Sequence, residues 1–157
     1  MPLTTIARRD DDTDLLDGPL PARLSALLGF QLRMAQAALH RDFVASMGEL
    51  NLTQRQLAVL EIVAETPGVS QVDIAAQLCT DRATMMAIID RLEQRDLVAR
   101  RRSREDRRRQ ELHLTPASLA VIAECRRVVA RHEKRFTDRF TASELHALFD
   151  ALRRIQA

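Results

Sequence analysis

The sequence predicts a mainly α-helical chain carrying one small β-hairpin, and three observations support that fold class. Glycine and proline are scarce, at 4 and 5 of 157 residues, while alanine, leucine, arginine and glutamate are abundant, a balance that favours long helices. Apolar residues recur every three or four positions through most of the chain, the spacing of one helix face. Around residues 97–115 the pattern changes to alternation on both sides of a polar, arginine-rich stretch, which reads as two strands and a loop. At 157 residues, 46% hydrophobic and 29% charged, the chain is long enough for one domain with its own core.

The elements follow in order. Residues 1–18 are acidic, unpatterned and followed by Pro19, and read as a flexible arm. From Leu20 a long helix is expected, with Leu24, Leu28, Leu32, Ala35, Leu39 and Phe43 along one face, ending near Gly48. Thr53, with Gln56 three residues later, forms a capping box for a second helix. That helix should bury Leu57, Leu60, Val63 and Ala64 and stop at Thr66-Pro67-Gly68, a strong breaker. Ser70 opens a shorter helix with Val72, Ala75 and Leu78 on one face, and a turn at Cys79-Thr80-Asp81 leads to a fourth helix, Arg82 to Gln94. Strands are expected at Leu97–Arg102 and Gln110–Thr115. Pro116 then opens a long helix carrying Leu119, Ile122, Cys125 or Arg126, and Val129. A last helix, capped by Thr141 or Ser143, should bury Leu145, Leu148, Leu152 and Ile155.

Charge narrows the function classes. The net charge of +2 conceals an asymmetry, because Asp10, Asp11, Asp12, Asp14 and Asp17 face only Arg8 and Arg9 in the first 20 residues. Seven of the ten residues in Arg100–Arg109 are arginine, the electrostatic footprint of a phosphate-binding element. Without tryptophan or tyrosine, a surface that stacks single-stranded bases is not expected, so a duplex is the better partner. The 4 histidines (His40, His113, His132, His146) lack metal-ligand spacing, and no glycine-rich phosphate loop or nucleophile motif occurs, so neither a metal, a cofactor nor an enzyme is expected. The 2 cysteines, Cys79 and Cys125, match no metal or redox spacing. With no signal-peptide pattern and no long apolar run, a cytoplasmic location is expected.

Two short helices joined by a tight turn and followed by a basic hairpin make a winged helix-turn-helix. A helix fits the major groove, where base edges can be read, and a basic hairpin beside it reaches phosphates and the minor groove. On the fourth helix Met85, Ile88, Ile89 and Leu92 should face the core. Arg82, Ala83, Thr84, Ala87 and Asp90 then face outward, with Met86 and Arg91 at the flanks. Arg82 suits a guanine edge or a phosphate, and the methyls of Ala83 and Thr84 suit thymine methyls. At the hairpin tip, Arg108 is the candidate for minor-groove insertion, Arg104 and Arg107 for phosphate contacts or structural pairing, and Asp106 for a local salt bridge that shapes the wing.

These residues resemble the MarR-type regulators. The resemblance rests on Leu52-Thr53 with Gln56 and Leu60, Val69-Ser70-Gln71, Ile74-Ala75 and Asp81-Arg82-Ala83-Thr84. It continues through Ile89-Asp90-Arg91-Leu92-Glu93, Leu97-Val98, Arg100, Ser103, Asp106-Arg107-Arg108 and Leu114-Thr115-Pro116. Asp96 and Ser118 stand where the family favours glycine; aspartate tolerates a left-handed turn better than most residues. The resemblance implies one MarR-type domain, a homodimer with 19–48 and 116–157 as its helical dimerisation body and 50–115 as the DNA-binding region. It implies repression at a pseudo-palindromic operator, release by a small molecule, and an effector pocket for which Arg33, Gln36, His40, Phe43, Met47 and His113 are candidates. A cation or imidazole beside apolar walls suits an aromatic carboxylate, and Leu28 to Gln36 is similar to first helices of regulators of aromatic-acid breakdown. Two alternatives stand beside this reading: a winged-helix protein-interaction module without DNA binding, and a cysteine-based redox-sensing repressor. The acidic arm, opposite in charge to the wing, is a candidate competitor of DNA.

Overall fold

The structure is a computed structural model that describes residues 21–104, 106 and 108–156. The acidic arm therefore lies outside the described residues. The chain forms two compact units, Met1–Ala38 and Leu39–Ala157.

In the first unit, α1 (Ala22–Ser25) is a single turn that ends at Ala26, and α2 (Leu28–Met47) begins. The one helix expected across this region is thus two. The Gln31 side chain donates to the Ser25 carbonyl at 2.6 Å, supplying a partner that a continuous helix would have drawn from its own backbone. Leu24 and Leu28 keep helical spacing across the break, so periodicity alone does not reveal it.

In the second unit, α2 ends in a 3-10 turn at Gly48–Leu50. There follow α3 (Gln54–Glu65), α4 (Gln71–Gln77), α5 (Arg82–Gln94), β1 (Val98–Arg102), β2 (Gln110–Leu114), α6 (Pro116–Thr137) and α7 (Ala142–Gln156). The capping box opens α3, with Thr53 N–H donating to Gln56 Oε1 at 3.0 Å and Gln56 N–H to Thr53 Oγ1 at 3.2 Å. The core joins Phe43 and Met47 of α2 to Leu57, Val59, Leu60 and Val63 of α3, Ile74 and Ala75 of α4, and Met85, Ile89 and Leu92 of α5. Val98, Leu112, Ile122, Cys125 and Val128 complete it.

Three burial assignments change. On α4 Ile74 is buried and Val72 is 51% exposed, because the Ser70 cap fixes a register in which Ile74, Ala75 and Leu78 turn inward. On α6 Cys125 and Ser118 are buried, Arg126 is exposed and pairs with Glu61 at 2.6 Å, and Leu119 is 62% exposed. No residue of α7 is buried: Leu145 and Leu152 are half-buried, while Leu148, Phe149 and Ile155 are exposed. Among the described residues nothing covers its apolar stripe.

At the junction of hairpin and α6, Thr115 Oγ1 donates to the Asp96 carbonyl and accepts from Ser118 N–H at 3.3 Å. Ser118 Oγ returns a bond to the Thr115 carbonyl at 2.7 Å, so serine at this position is fully satisfied. Asp96 adopts φ +54°, the left-handed conformation for which glycine is the default.

Candidate nucleic-acid interface

The helix-turn-helix is built by two caps and one left-handed residue. Ser70 Oγ accepts from Asp73 N–H at 3.2 Å and donates to Asp73 Oδ2 at 2.7 Å, starting α4. Asp81 Oδ1 accepts from Thr84 N–H at 2.9 Å, starting α5. Both carboxyls sit below the usual range, Asp73 chiefly through the Ser70 hydroxyl and Asp81 through the Thr84 hydroxyl. Between the helices, exposed Cys79 takes φ +47°, a left-handed residue of the kind that ends a helix and turns the chain.

This geometry settles which side of α5 is available. Met85, Ile89 and Leu92 are buried and Ile88 half-buried, while Arg82, Ala83, Met86, Ala87 and Arg91 are exposed. Thr84 is half-buried, and its hydroxyl proton is committed to Asp81 Oδ2 at 2.6 Å. Arg91 lines a cleft of about 290 Å³ with Asn51, Thr53, Gln56, Gln94 and Arg95. Asp90 lies on the outward side but is half-buried, because Arg100 from the hairpin binds it and Glu93 together.

The hairpin pairs antiparallel in the register Val98↔Leu114 to Arg102↔Gln110. A third segment joins it: Gly68 N–H donates to the Leu112 carbonyl at 2.9 Å, and Leu112 N–H to the Val69 carbonyl at 3.0 Å. At the tip, Ser103 N–H donates to the Arg109 carbonyl at 3.0 Å, closing the loop. Asp106 Oδ1 accepts from Arg108 N–H at 2.9 Å, and the Asp106 carbonyl from Arg109 N–H at 2.9 Å. Asp106 thus shapes the wing through backbone amides. Arg104 and Arg108 are exposed, and Arg107 lies outside the described residues. Arg109 pairs with Asp73 of α4 at 3.1 Å, beside a groove of about 570 Å³ lined by Val72, Asp106 and Arg108 among others.

The effector candidates fall in both units. Arg33 and Gln36 are exposed residues of the first unit. In the second unit His40 is exposed, and Phe43 and Met47 are buried. His113 is placed on the hairpin, its Nε2 3.4 Å from Glu111 Oε2, in a cleft shared with Arg101, Arg102, Ser103 and Arg104. The Glu111 carboxyl is held below its usual value chiefly by the Ser103 hydroxyl, then by His113. Sequence reasoning missed His132, which is 2% exposed between the rings of Phe43 and Phe136, with Nδ1 2.6 Å from Asp42 Oδ2. Its partner lies 90 residues away, so no local spacing announces the pair. Cys125 is buried and its thiol pushed up by burial, unlike a sensor thiol. Cys79 is exposed.

An exposed helix-turn-helix face beside an arginine-tipped hairpin defines the winged helix-turn-helix class of DNA-binding protein. The sequence model of the MarR family matches residues 52–109. A curated relative from Thauera aromatica, a putative transcriptional regulatory protein for the hcr operon, is 32% identical over 129 residues, covering 82% of this chain and 78% of the relative. The chain belongs to the MarR family. Among solved structures, the transcriptional repressor CouR bound to a 23-mer DNA duplex superposes with a TM-score of 0.83 at 36% identity, covering 89% of this chain and 100% of CouR. CouR bound to p-coumaroyl-CoA gives 0.81 at 35% identity, covering 87% and 96%. The matched relatives are transcriptional regulators. Among the described residues no helix is long and apolar enough to cross a membrane.

Proposed function

We propose that this protein is a homodimeric repressor that binds a pseudo-palindromic duplex operator and leaves it when a small aromatic effector binds. The observation that carries the reading is the exposed α5 face of Arg82, Ala83 and Ala87 beside the exposed tip arginines Arg104 and Arg108. Arg82, Ala83, the Thr84 methyl and Ala87 meet the major groove, Arg108 enters the minor groove, and Arg104, Arg107 and Arg91 serve phosphates. The DNA-bound CouR structure supports this reading.

For the effector, the CouR complex with p-coumaroyl-CoA supports an aromatic acid presented as its CoA thioester, and the sequence resemblance the free acid. Arg33, Gln36 and His40, exposed on α2, are the contacts we propose, while Phe43 and Met47 are buried in the core. Segments 19–48 and 116–157 form the dimer body, and the exposed apolar stripe of α7 supports that assignment. The test is a gel-shift assay with the chain's own upstream DNA, followed by a panel of aromatic acids and their CoA thioesters. Specific retardation reversed by one panel member is the expected outcome; retardation unaffected by every member would remove the effector class, and no specific retardation would remove the operator reading.

A further inference from the structure

The run Arg100–Arg109 contains seven arginines, and the natural assumption is that all of them serve DNA. The structure separates one of them. Arg101, Arg102, Arg104 and Arg108 are exposed, but the Arg100 side chain is only 19% exposed and binds Asp90 through Nη2 and Glu93 through Nη1. Its backbone N–H also faces Glu93 Oε1 at 3.4 Å. The Arg109–Asp73 pair, one-to-one and 51% exposed on both sides, is a looser contact of the kind solvent readily replaces.

The helix geometry gives the Arg100 contact its meaning. Ala83, Ala87, Asp90 and Gln94 share one stripe of α5, each a turn beyond the last. That stripe lies opposite buried Met85, Ile89 and Leu92, so it is the one presented to a groove. Glu93 stands three residues beyond Asp90, close enough for the two carboxylates to repel each other. A reading helix carrying two free carboxylates would meet phosphates of the same sign. We propose that Arg100 is a charge mask: a positioning residue that halves the negative charge on this flank and turns both carboxylates toward β1, away from DNA. It also sets the angle between wing and helix, since its backbone belongs to one and its ion pairs to the other. This inference rests on the operator reading above.

The test uses a duplex that the wild-type protein selects from a randomised pool, with binding followed by fluorescence anisotropy across salt concentrations. Arg100→Gln is expected to weaken binding about tenfold at low salt, with the difference shrinking as salt screens it. Asp90→Asn/Glu93→Gln with Arg100 retained is expected to bind at least as tightly as wild type. Adding Arg100→Gln to that pair should restore affinity to within about twofold of wild type. If Asp90→Asn/Glu93→Gln weakens binding as much as Arg100→Gln does, or the triple variant stays weak, the contact is a structural brace and the mask is refuted. If wild type selects no duplex, the operator reading fails first, and that failure is visible before any variant is measured.

Discussion

Arg108 stands exposed on a loop whose backbone its neighbour holds: Asp106 Oδ1 accepts the Arg108 N–H at 2.9 Å. Function at this point therefore depends on an amide acceptor and a guanidinium together. Arg108→Ala should weaken operator binding about tenfold and reduce the slope of log affinity against log salt by about one. Asp106→Ala should weaken it too, whereas Asp106→Asn, which keeps the acceptor, should stay close to wild type; equal loss in both would mean that the charge of Asp106 matters, not its geometry. Asp42 supports a different prediction. Hydrogen bonds from Arg135 and His132 hold its pKa at about 2, against an ordinary value of 3.8. A carboxyl depressed on folding stabilises the fold above its unfolded value, and that contribution disappears as pH falls through 3.8 toward about 2. Urea midpoints measured across that interval should fall less steeply for Asp42→Asn than for wild type.

Individual elements show what local pattern can and cannot reveal. The capping box at Thr53, the α5 bounds and the hairpin were legible because each depends on residues within a few positions of one another. The break between α1 and α2 was not, since Leu24 and Leu28 keep their spacing across it. The third hairpin segment at Val69, the Arg100 contacts and the Asp42–His132 pair bridge distant positions, and composition carries no trace of such pairings. Val72 was misassigned for Ile74 because seven helical residues are too few for periodicity to fix a face. The α5–β1 turn offers a direct stability test. With Asp96 at φ +54°, Asp96→Gly should stabilise the protein by about 1 kcal/mol. Thr115→Ala, which removes the α6 cap and the bond to the Asp96 carbonyl, should cost about 1–2 kcal/mol. Thermal denaturation of the two variants checks both signs.

For the whole molecule, the distribution of apolar surface matters as much as charge. On α7 Leu148, Phe149 and Ile155 are 39%, 44% and 50% exposed, more apolar surface on one helix than a solvated element usually carries. Burial against a second copy would place two α5 helices on one duplex, the arrangement a palindromic operator requires. Leu148→Asp/Phe149→Asp should convert the dimer to a monomer in sedimentation velocity and weaken operator binding far more than any single wing arginine. A variant that remains dimeric would move the interface elsewhere. Opposite charges on the arginine run and the first 20 residues add a salt-sensitive field around this assembly. The decisive measurement is an anisotropy titration of the wild-type protein with its own upstream duplex and a scrambled duplex of equal length, repeated over a salt series. Tight binding to the native duplex alone, at two protomers per site and falling steeply with salt, is the result expected of a MarR-family repressor. Equal binding to both duplexes, or none to either, would contradict it.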